Sequence, residues 1–384
     1  MNERLPNIRH LAAFAATVEH GSVTRAADRI GLTQPALTQA ISRLEADLGC
    51  QLFEREPGGM RPTEPALLLA PRVESAISRI GSNRVTATQM RAFIALAQAG
   101  SYAAAAERTG LTSASLHRAV ADLSLAVSER LVDRRGRHLT LTRKGERRAR
   151  DFGLALAEIR SGYAEVSQWL GKAGARIAIG AMPLSRARWL PRAILVFKER
   201  NPHIDVTVVE GSHSELSGPL RDGEIDFLLG ALRDEAGLDD LRQQTVFEDR
   251  PRIIMRSGHP LAARSTPPDT SDLARYPWVL PNPQTPLYGY WKDMMSDDGS
   301  QPPHVTIECG SVLTVRELLL ETDMLTLLSP DQLRVEIEAG LLVARDTPTP
   351  VLRTIGITTR QDWRPTQSQQ QMIDILCNIG RNIS

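Results

Sequence analysis

With 384 residues, 24% of them charged and 42% hydrophobic, and a net charge of +1, the chain has a globular composition with room for two or three domains. The opening stretch from Met1 to His10 holds no apolar run leading to a cleavage site, and nowhere is there the run of roughly 18 apolar residues that a membrane span requires, so a cytoplasmic protein without a membrane partner is expected. Three cysteines, Cys50, Cys309 and Cys377, lie far apart and without zinc-site or redox spacing, which reads as isolated thiols in a reducing compartment.

The near-zero net charge hides an asymmetry. Residues 1–170 hold 23 Lys and Arg against 17 Asp and Glu, whereas residues 171–384 hold 23 against 28. The first part could therefore meet a polyanion, although a solvated charged face would look the same.

Taken in chain order, Ile8, Leu11, Ala15 and Val18 recur at helical spacing, and Gly21 stands where a left-handed cap would end a first helix. A short second helix offers Ala26 and Ala27, small enough for close approach, and Gly31 permits the turn before Thr33, a plausible N-cap. Pro35 then falls in the first turn of a third helix, where its missing donor has no intrahelical partner to lose. Leu37, Ile41, Leu44 and Leu48 form its buried stripe, leaving Gln34, Ala36, Thr38, Gln39, Ser42 and Arg43 to face outward. Such side chains can read base edges in a major groove, glutamine pairing with adenine and arginine with guanine or phosphate. The residues alone equally allow a solvated face on a three-helix bundle.

The whole unit then recurs. Ala13 to Thr63 aligns without a gap on Ala92 to Thr142 at an offset of 79 residues, Phe14 falling on Phe93, Gly21-Ser22 on Gly100-Ser101 and Gly31-Leu32-Thr33 on Gly110-Leu111-Thr112. Leu37, Leu44, Leu52 and Arg55 fall likewise on Leu116, Leu123, Leu131 and Arg134.

Phe14, Gly21-Ser22, Ala26-Ala27, Gln34-Pro35-Ala36-Leu37, Leu44-Glu45, Gly49 and Leu52-Phe53-Glu54-Arg55 together resemble the N-terminal signature of the LysR-type transcriptional regulators. The resemblance implies a winged helix-turn-helix that binds double-stranded DNA, here present twice. It places Ser22, Thr33, Gln34, Pro35, Thr38, Gln39, Ser42, Arg43 and Arg55 of copy one at DNA, with Ser113, Ser115, His117 and Arg118 at the corresponding face of copy two. The copies depart from the pattern differently. Copy one has Ala66 where the family usually has the wing glycine that copy two keeps as Gly145, and copy two has Asp122 where copy one has Arg43. Residues 1–83 balance at 9 basic against 9 acidic, while residues 84–150 hold 13 against 5. Copy one is thus expected to supply base readout and copy two to grip the backbone through Arg135, Arg137, Arg143 and Lys144; copy two as a spacer is the competing reading.

After the second wing, Phe152, Leu156, Ile159, Tyr163, Val166 and Leu170 mark one long helix from Glu146. The LysR resemblance implies that this open stripe pairs with its copy on a second subunit, giving a homodimer or homotetramer; packing within its own chain is the alternative. The equivalent stretch of copy one, Leu67 to Ile80, is expected to be interrupted by Pro71.

Beyond Gly171 to Gly174, strands and helices alternate: Arg176–Gly180, the helix Arg188–Arg200, Ile204–Glu210, a helix near Ser214–Arg221 and Ile225–Gly230. Further strands read in RIIMR, PWVLP, HVTIE and MLTLL before a return through RTIGITTR and a final helix from about Thr366 to Ile379. This βαβ order implies parallel sheets in two lobes joined by two crossings. Leu190-Pro191, Asn201-Pro202, Gly223-Glu224-Ile225-Asp226 and Ser257-Gly258-His259-Pro260-Leu261-Ala262 resemble the periplasmic-binding-protein-like effector domain of the same family.

The expected fold class is therefore α plus α/β, multidomain: two winged helix-turn-helix modules (5–66 and 84–145) with linker helices (67–83 and 146–171), and a two-lobed periplasmic-binding-protein-like α/β effector domain at 175–384. Lobe I takes 175–250 and 351–384, and lobe II takes 251–350. The resemblance implies a transcription regulator controlled by a small-molecule effector between the lobes, with RNA polymerase as a potential further partner. The loops facing that site hold Met182, Ser185 and Arg186; Pro281, Asn282 and Gln284; and Ser311 with Val312. Helix N-termini and an arginine favour an anionic effector, whose identity the sequence does not give. No cofactor, metal site or catalysis is expected, because the histidines are scattered and no nucleophile or phosphate-loop motif is present. A constitutive DNA-binding regulator without ligand response, or a solute-binding protein, are the alternatives.

Overall fold

The computed structural model describes residues 7–57, 59–135, 138–172, 175–233, 238–264, 266–296 and 301–382, with the backbone alone for Arg134, Arg135 and His138. Contacts divide the chain into two compact units: one holds both sequence copies through Ile177 together with 203–205 and 218–225, and the other holds the rest.

In the first unit copy one comprises α1 (Ile8–His20), α2 (Val23–Ile30), α3 (Gln34–Leu48), the wing strands β1 (Phe53–Glu56) and β2 (Gly59–Pro62), and α4 (Glu64–Ile80). Copy two repeats it as α5 (Ala87–Ala99), α6 (Tyr102–Thr109), α7 (Ser113–Val127), β3 (Val132–Arg135), β4 (His138–Leu141) and α8 (Arg143–Trp169). Through β4, every boundary of copy two stands 79 residues beyond its counterpart, and so does the start of α8. The same caps act at both recognition-helix starts: Thr33 Oγ1 accepts from Ala36 N at 3.4 Å, and Thr112 Oγ1 from Ser115 N at 3.1 Å. At the other end Gly49 closes α3 in the left-handed region at φ 71°, where copy two places Ser128 at φ 54° and accepts the strain of a side chain there.

One hydrophobic core runs through both copies. Phe14, Leu37, Leu44 and Leu52 pack in copy one, Phe93, Leu116, Leu123 and Leu131 in copy two, and Leu69, Val73, Phe152 and Ile159 from α4 and α8 join them. Two expectations are corrected here. Pro71 does not interrupt α4, which runs unbroken to Ile80, because the carbonyl left without its donor is that of Leu67, on the exposed side of the helix where water can serve it. The apolar stripe of α8 is not open: Phe152, Leu156, Ile159 and Val166 are buried against the same chain, so the expected intersubunit pairing of this helix is replaced by pairing with α4. α8 also starts three residues before the expected Glu146, taking Arg143 and Lys144 from the wing into its first turn.

The second unit opens with β5 (Arg176–Ala181), α9 (Pro183–Ala187), α10 (Trp189–Arg200), β6 (Asp205–Glu210), α11 (His213–Arg221), β7 (Phe227–Ala231) and β8 (Leu241–Asp249). The chain then crosses to β9 (Arg252–Arg256), α12 (Thr270–Leu273), β10 (Trp278–Leu280), α13 (Pro286–Met295), β11 (Val305–Glu308), α14 (Val312–Glu321), β12 (Thr326–Leu328), a 3-10 turn (Pro330–Leu333), α15 (Arg334–Glu338) and β13 (Leu342–Arg345). It returns through β14 (Arg353–Arg360) and ends in α16 (Gln367–Gly380). One lobe is a five-stranded sheet in the order β6-β5-β7-β14-β8, and the other combines β12-β9-β13 with the pair β10-β11. Strands β5 and β7 are parallel, as are β10 and β11, but the strands made after each crossing are not: β14 is antiparallel to β7 and β8, and β9 to β12 and β13. The wholly parallel expectation is corrected accordingly. At the crossings Arg353 and Asp249, register partners on β14 and β8, form a buried ion pair at 2.6 Å.

Candidate nucleic-acid interface and effector loops

Helix α3 buries Leu37, Ala40, Ile41, Leu44 and Leu48 and exposes Gln34, Pro35, Ala36, Gln39, Ser42 and Arg43, with Thr38 half-buried at the boundary. This is the division that periodicity requires of a helix whose outer face is kept for something other than the core. Gln34 is positioned from below: its Nε2 donates to Thr24 Oγ1 on α2 at 3.0 Å, leaving Oε1 to face outward. Glu45 fixes the wing to the same helix, its Oε1 accepting from Leu52 N at 2.8 Å and Phe53 N at 3.4 Å. Neither Thr24 nor the role of Glu45 follows from sequence spacing, since both act across elements. His10 lies close enough to Arg43 to be affected by it: burial first, then the Arg43 charge, hold its pKa below the ordinary value, so the imidazole adds no positive charge at neutral pH.

Thr33 is occupied as a cap, and Ser22 begins α2 without a side-chain cap bond. Arg55 is exposed on the first wing, but it stands between Glu54 and Glu56, and Arg61 opposite is paired with both acids, at 3.0 Å to Glu56. The first wing therefore offers little free positive charge.

Copy two presents Ser113, Ser115 and Arg118 on α7, together with the acid Asp122. Ser115 is drawn into the cap, its Oγ accepting from Thr112 Oγ1 at 2.8 Å. His117 does not stand free: its ring stacks on Tyr102 with centroids 3.5 Å apart and planes at 23°. Arg143 and Lys144 are exposed in the first turn of α8, where the helix N-terminus adds its own attraction for an anion. The side chain of Arg135 and the whole of Arg137 lie outside the described residues.

The wing glycine separates the copies physically. A Cβ built on Gly145 would stand 2.0 Å from the Leu131 carbonyl oxygen, so this crossing of helix and wing admits no side chain. Copy one carries Ala66 at the equivalent site, fully buried, and must hold its wing farther from α4.

In the effector domain Met182 leads from β5 into α9, and Ser185 is buried with its hydroxyl donating to Met182 O at 2.8 Å. Arg186 is ion-paired with Glu210 of β6. Pro281, Asn282 and Gln284 form the turn after β10, where Asn282 Oδ1 accepts from Gln284 N at 2.9 Å; Ser311 caps α14, accepting from Thr314 N at 3.4 Å, and Val312 follows it. The sequence reading passed over Arg188, which reaches across the lobes to Asp331 at 3.5 Å. The Nε groups of Arg186 and Arg188 are both buried without a hydrogen-bond partner among the described residues. Buried donors of this kind are uncommon in native proteins and call for an acceptor. His259 is structural: Leu261 N donates to its Nδ1 at 3.0 Å and Nε2 faces Asp323 O at 3.3 Å, which fixes a neutral ring. Burial raises the pKa of the Cys50 and Cys377 thiols, which makes them poor nucleophiles.

Two helix-turn-helix modules ahead of a two-lobed α/β domain define a DNA-binding regulator with a ligand-binding domain. The chain matches the bacterial regulatory helix-turn-helix family of LysR type at residues 8–67 and again at 87–146, and the LysR substrate-binding domain at 171–378. It is 30% identical over 370 residues to the HTH-type transcriptional regulator GalR of Pseudomonas putida, covering 93% of each chain. The HTH-type transcriptional regulator PcaQ of Agrobacterium fabrum is 25% identical over 291 residues, 74% of this chain and 91% of its own, leaving about a quarter of the present chain outside the match. Among solved structures, Corynebacterium glutamicum OxyR aligns at 21% identity and a TM-score of 0.48, covering 78% of this chain and 92% of that one. The protein belongs to the LysR family of bacterial transcriptional regulators. Its function is DNA-binding regulation of transcription under control of a small-molecule effector, and its named relatives are regulators, not enzymes. Members of the family bind DNA and small-molecule effectors and act as oligomers.

Proposed function

We propose that copy one reads base sequence while copy two holds the DNA backbone, and that the effector is a small anion bound beside α9. The observation that carries the DNA part is the contrast between the two outward faces. α3 offers Gln34, Gln39 and Arg43 for base contacts, whereas α7 offers an acid and a stacked histidine, and the free basic side chains of copy two stand at the foot of α8. The unpartnered Nε groups of Arg186 and Arg188 support an anionic ligand. In the same reading the chains work in the cytoplasm as homodimers or homotetramers and act on transcription through RNA polymerase.

Fluorescence anisotropy on a bound duplex across a salt series tests the DNA part. The double variant Arg143→Ala, Lys144→Ala should weaken binding to all sequences alike and reduce the salt slope by about one unit per lost phosphate contact. An unchanged slope defeats the backbone grip. Because Arg186 is already paired with Glu210, constitutive regulation without a ligand is the second reading. A thermal-shift screen of small carboxylates separates the two, since a ligand that binds only the folded state raises the melting temperature.

A further inference from the structure

Helices α4 and α8 are equivalent members of the two copies, and they pack antiparallel within one chain. Arg148 near the start of α8 reaches the Arg79 and Ile80 carbonyls at the end of α4, each at 3.5 Å, while Gly162 near the end of α8 lies against Leu69 and Arg72. Equivalent helices that run antiparallel relate their modules by an approximate two-fold axis. The contact is specific as well as apolar. Arg72 is buried, with Nη1 3.1 Å from Glu158 Oε2 and Nη2 2.8 Å from Glu165 Oε1. At the 79-residue offset the position of Arg72 is held by Asp151 in copy two, and the position of Glu158 is held by Arg79 in copy one. The charges are reversed between copies. In the same register, two α4 helices would set Arg72 against Arg79, and two α8 helices would set Asp151 against Glu158. A buried charge facing its like is strongly disfavoured, so the pattern selects the mixed pair and rejects both self-pairs. Gly162 sharpens the choice: a Cβ there would stand 2.9 Å from Leu69 Cδ1, and the equivalent position of copy one, Asn83, lies beyond the end of α4.

We propose that α4 and α8 join the two winged modules of one chain into a single two-headed DNA reader, built for an asymmetric operator with one specified half-site and one sequence-tolerant half-site beside it. This rests on the DNA reading above and deepens it. A symmetric pair of identical heads calls for a palindrome. Here the heads are fixed as a pair but carry different outward side chains: Thr38, Gln39 and Arg43 on one, His117, Arg118 and Asp122 on the other. One polypeptide therefore occupies both half-sites, and the second contributes through its backbone contacts.

Two arms test this. In the first, Arg72→Glu alone, and Glu158→Arg with Glu165→Arg, should each lower the melting temperature of the full chain by about 10 °C, and the three substitutions in one chain should recover most of that loss. The same substitutions divided between two co-expressed chains should not recover it. Recovery in the divided mixture, or no recovery in the combined chain, overturns pairing within the chain. In the second arm, which needs no change in the core, the wild-type protein selects duplexes from a randomised pool and the selected duplex is footprinted. The expected result is one non-palindromic box with protection extending about one helical turn to one side only, an extension lost in the Arg143→Ala, Lys144→Ala variant. An inverted repeat of the box one turn apart overturns the asymmetric operator. Failure to select any duplex overturns the underlying DNA reading, and the thermal arm then decides the helix pairing separately.

Discussion

Arg148 of α8 and Glu129, which follows α7, form a hydrogen-bonded ion pair, Nε to Oε2 at 2.9 Å, while the same guanidinium reaches the last carbonyls of α4. One side chain thus ties the second reading module to the linker helix of the first. The Arg148 charge and hydrogen bond hold the Glu129 carboxyl below the usual carboxylate range. Arg148→Ala should cost about 2 kcal/mol, the scale of a lost charged hydrogen bond. The sign with pH follows from the depressed value: the stabilisation is present above the unfolded value of about 4.3 and disappears as pH falls through the lower folded value. Thermal melts of wild type and variant should converge below about pH 4.

Gly145 answers a steric demand that Ala66 does not. Gly145→Ala should destabilise the second module by about 1–3 kcal/mol through overpacking against the Leu131 carbonyl. Ala66→Gly in copy one removes a buried methyl from a helix and should cost about 1 kcal/mol or more. Both substitutions thus lower stability, one by adding a methyl and the other by removing it, and denaturant titration measures both.

His259 sets a second pH dependence, of opposite protonation chemistry. Burial holds its pKa below 6.5, and its Nδ1 must stay unprotonated to accept from Leu261 N. Below pH 6.5 the unfolded chain takes up a proton that the folded chain resists, so stability is complete above that value and declines as pH drops toward the folded pKa. Melting temperatures between pH 7.5 and 5.5 should fall for the wild type, and His259→Gln, less stable throughout, should show a flatter profile over the same range.

The bond from Gln34 to Thr24 predicts specificity at a distance. Gln34→Ala and Arg43→Ala should each relax preference at a contacted base by about 1–3 kcal/mol. Thr24→Val, which touches no base in this reading, frees the Gln34 amide and should relax the same base position by about 1 kcal/mol. Binding to a set of single-base variants of a selected duplex distinguishes these effects from uniform weakening.

The two reading modules were legible because their constraints are local. Helix periodicity, the Thr33 and Thr112 caps and the repeat at 79 residues are each written within a few turns of chain, and the structure reproduces the element boundaries from Ile8 to Leu141 in both copies. The edge strands β8 and β13 were missed for the converse reason. An edge strand pairs on one side only, and LRQQTVFED can alternate buried and exposed residues without the apolar run that marks a central strand.

Taken alone, the sequence determined the family, the duplication, the outward face of α3 and the two-lobed domain behind it, since repeated short-range patterns carry all of these. What covers a helix is a long-range fact. The stripe on α8 reads the same whether its partner comes from another subunit or from residues 64–80 of its own chain, and only folding brought Arg72 to Glu158 and Glu165. The tertiary structure decided that choice because burying a guanidinium demands nearby carboxylates, and the chain supplies them from 86 and 93 residues away.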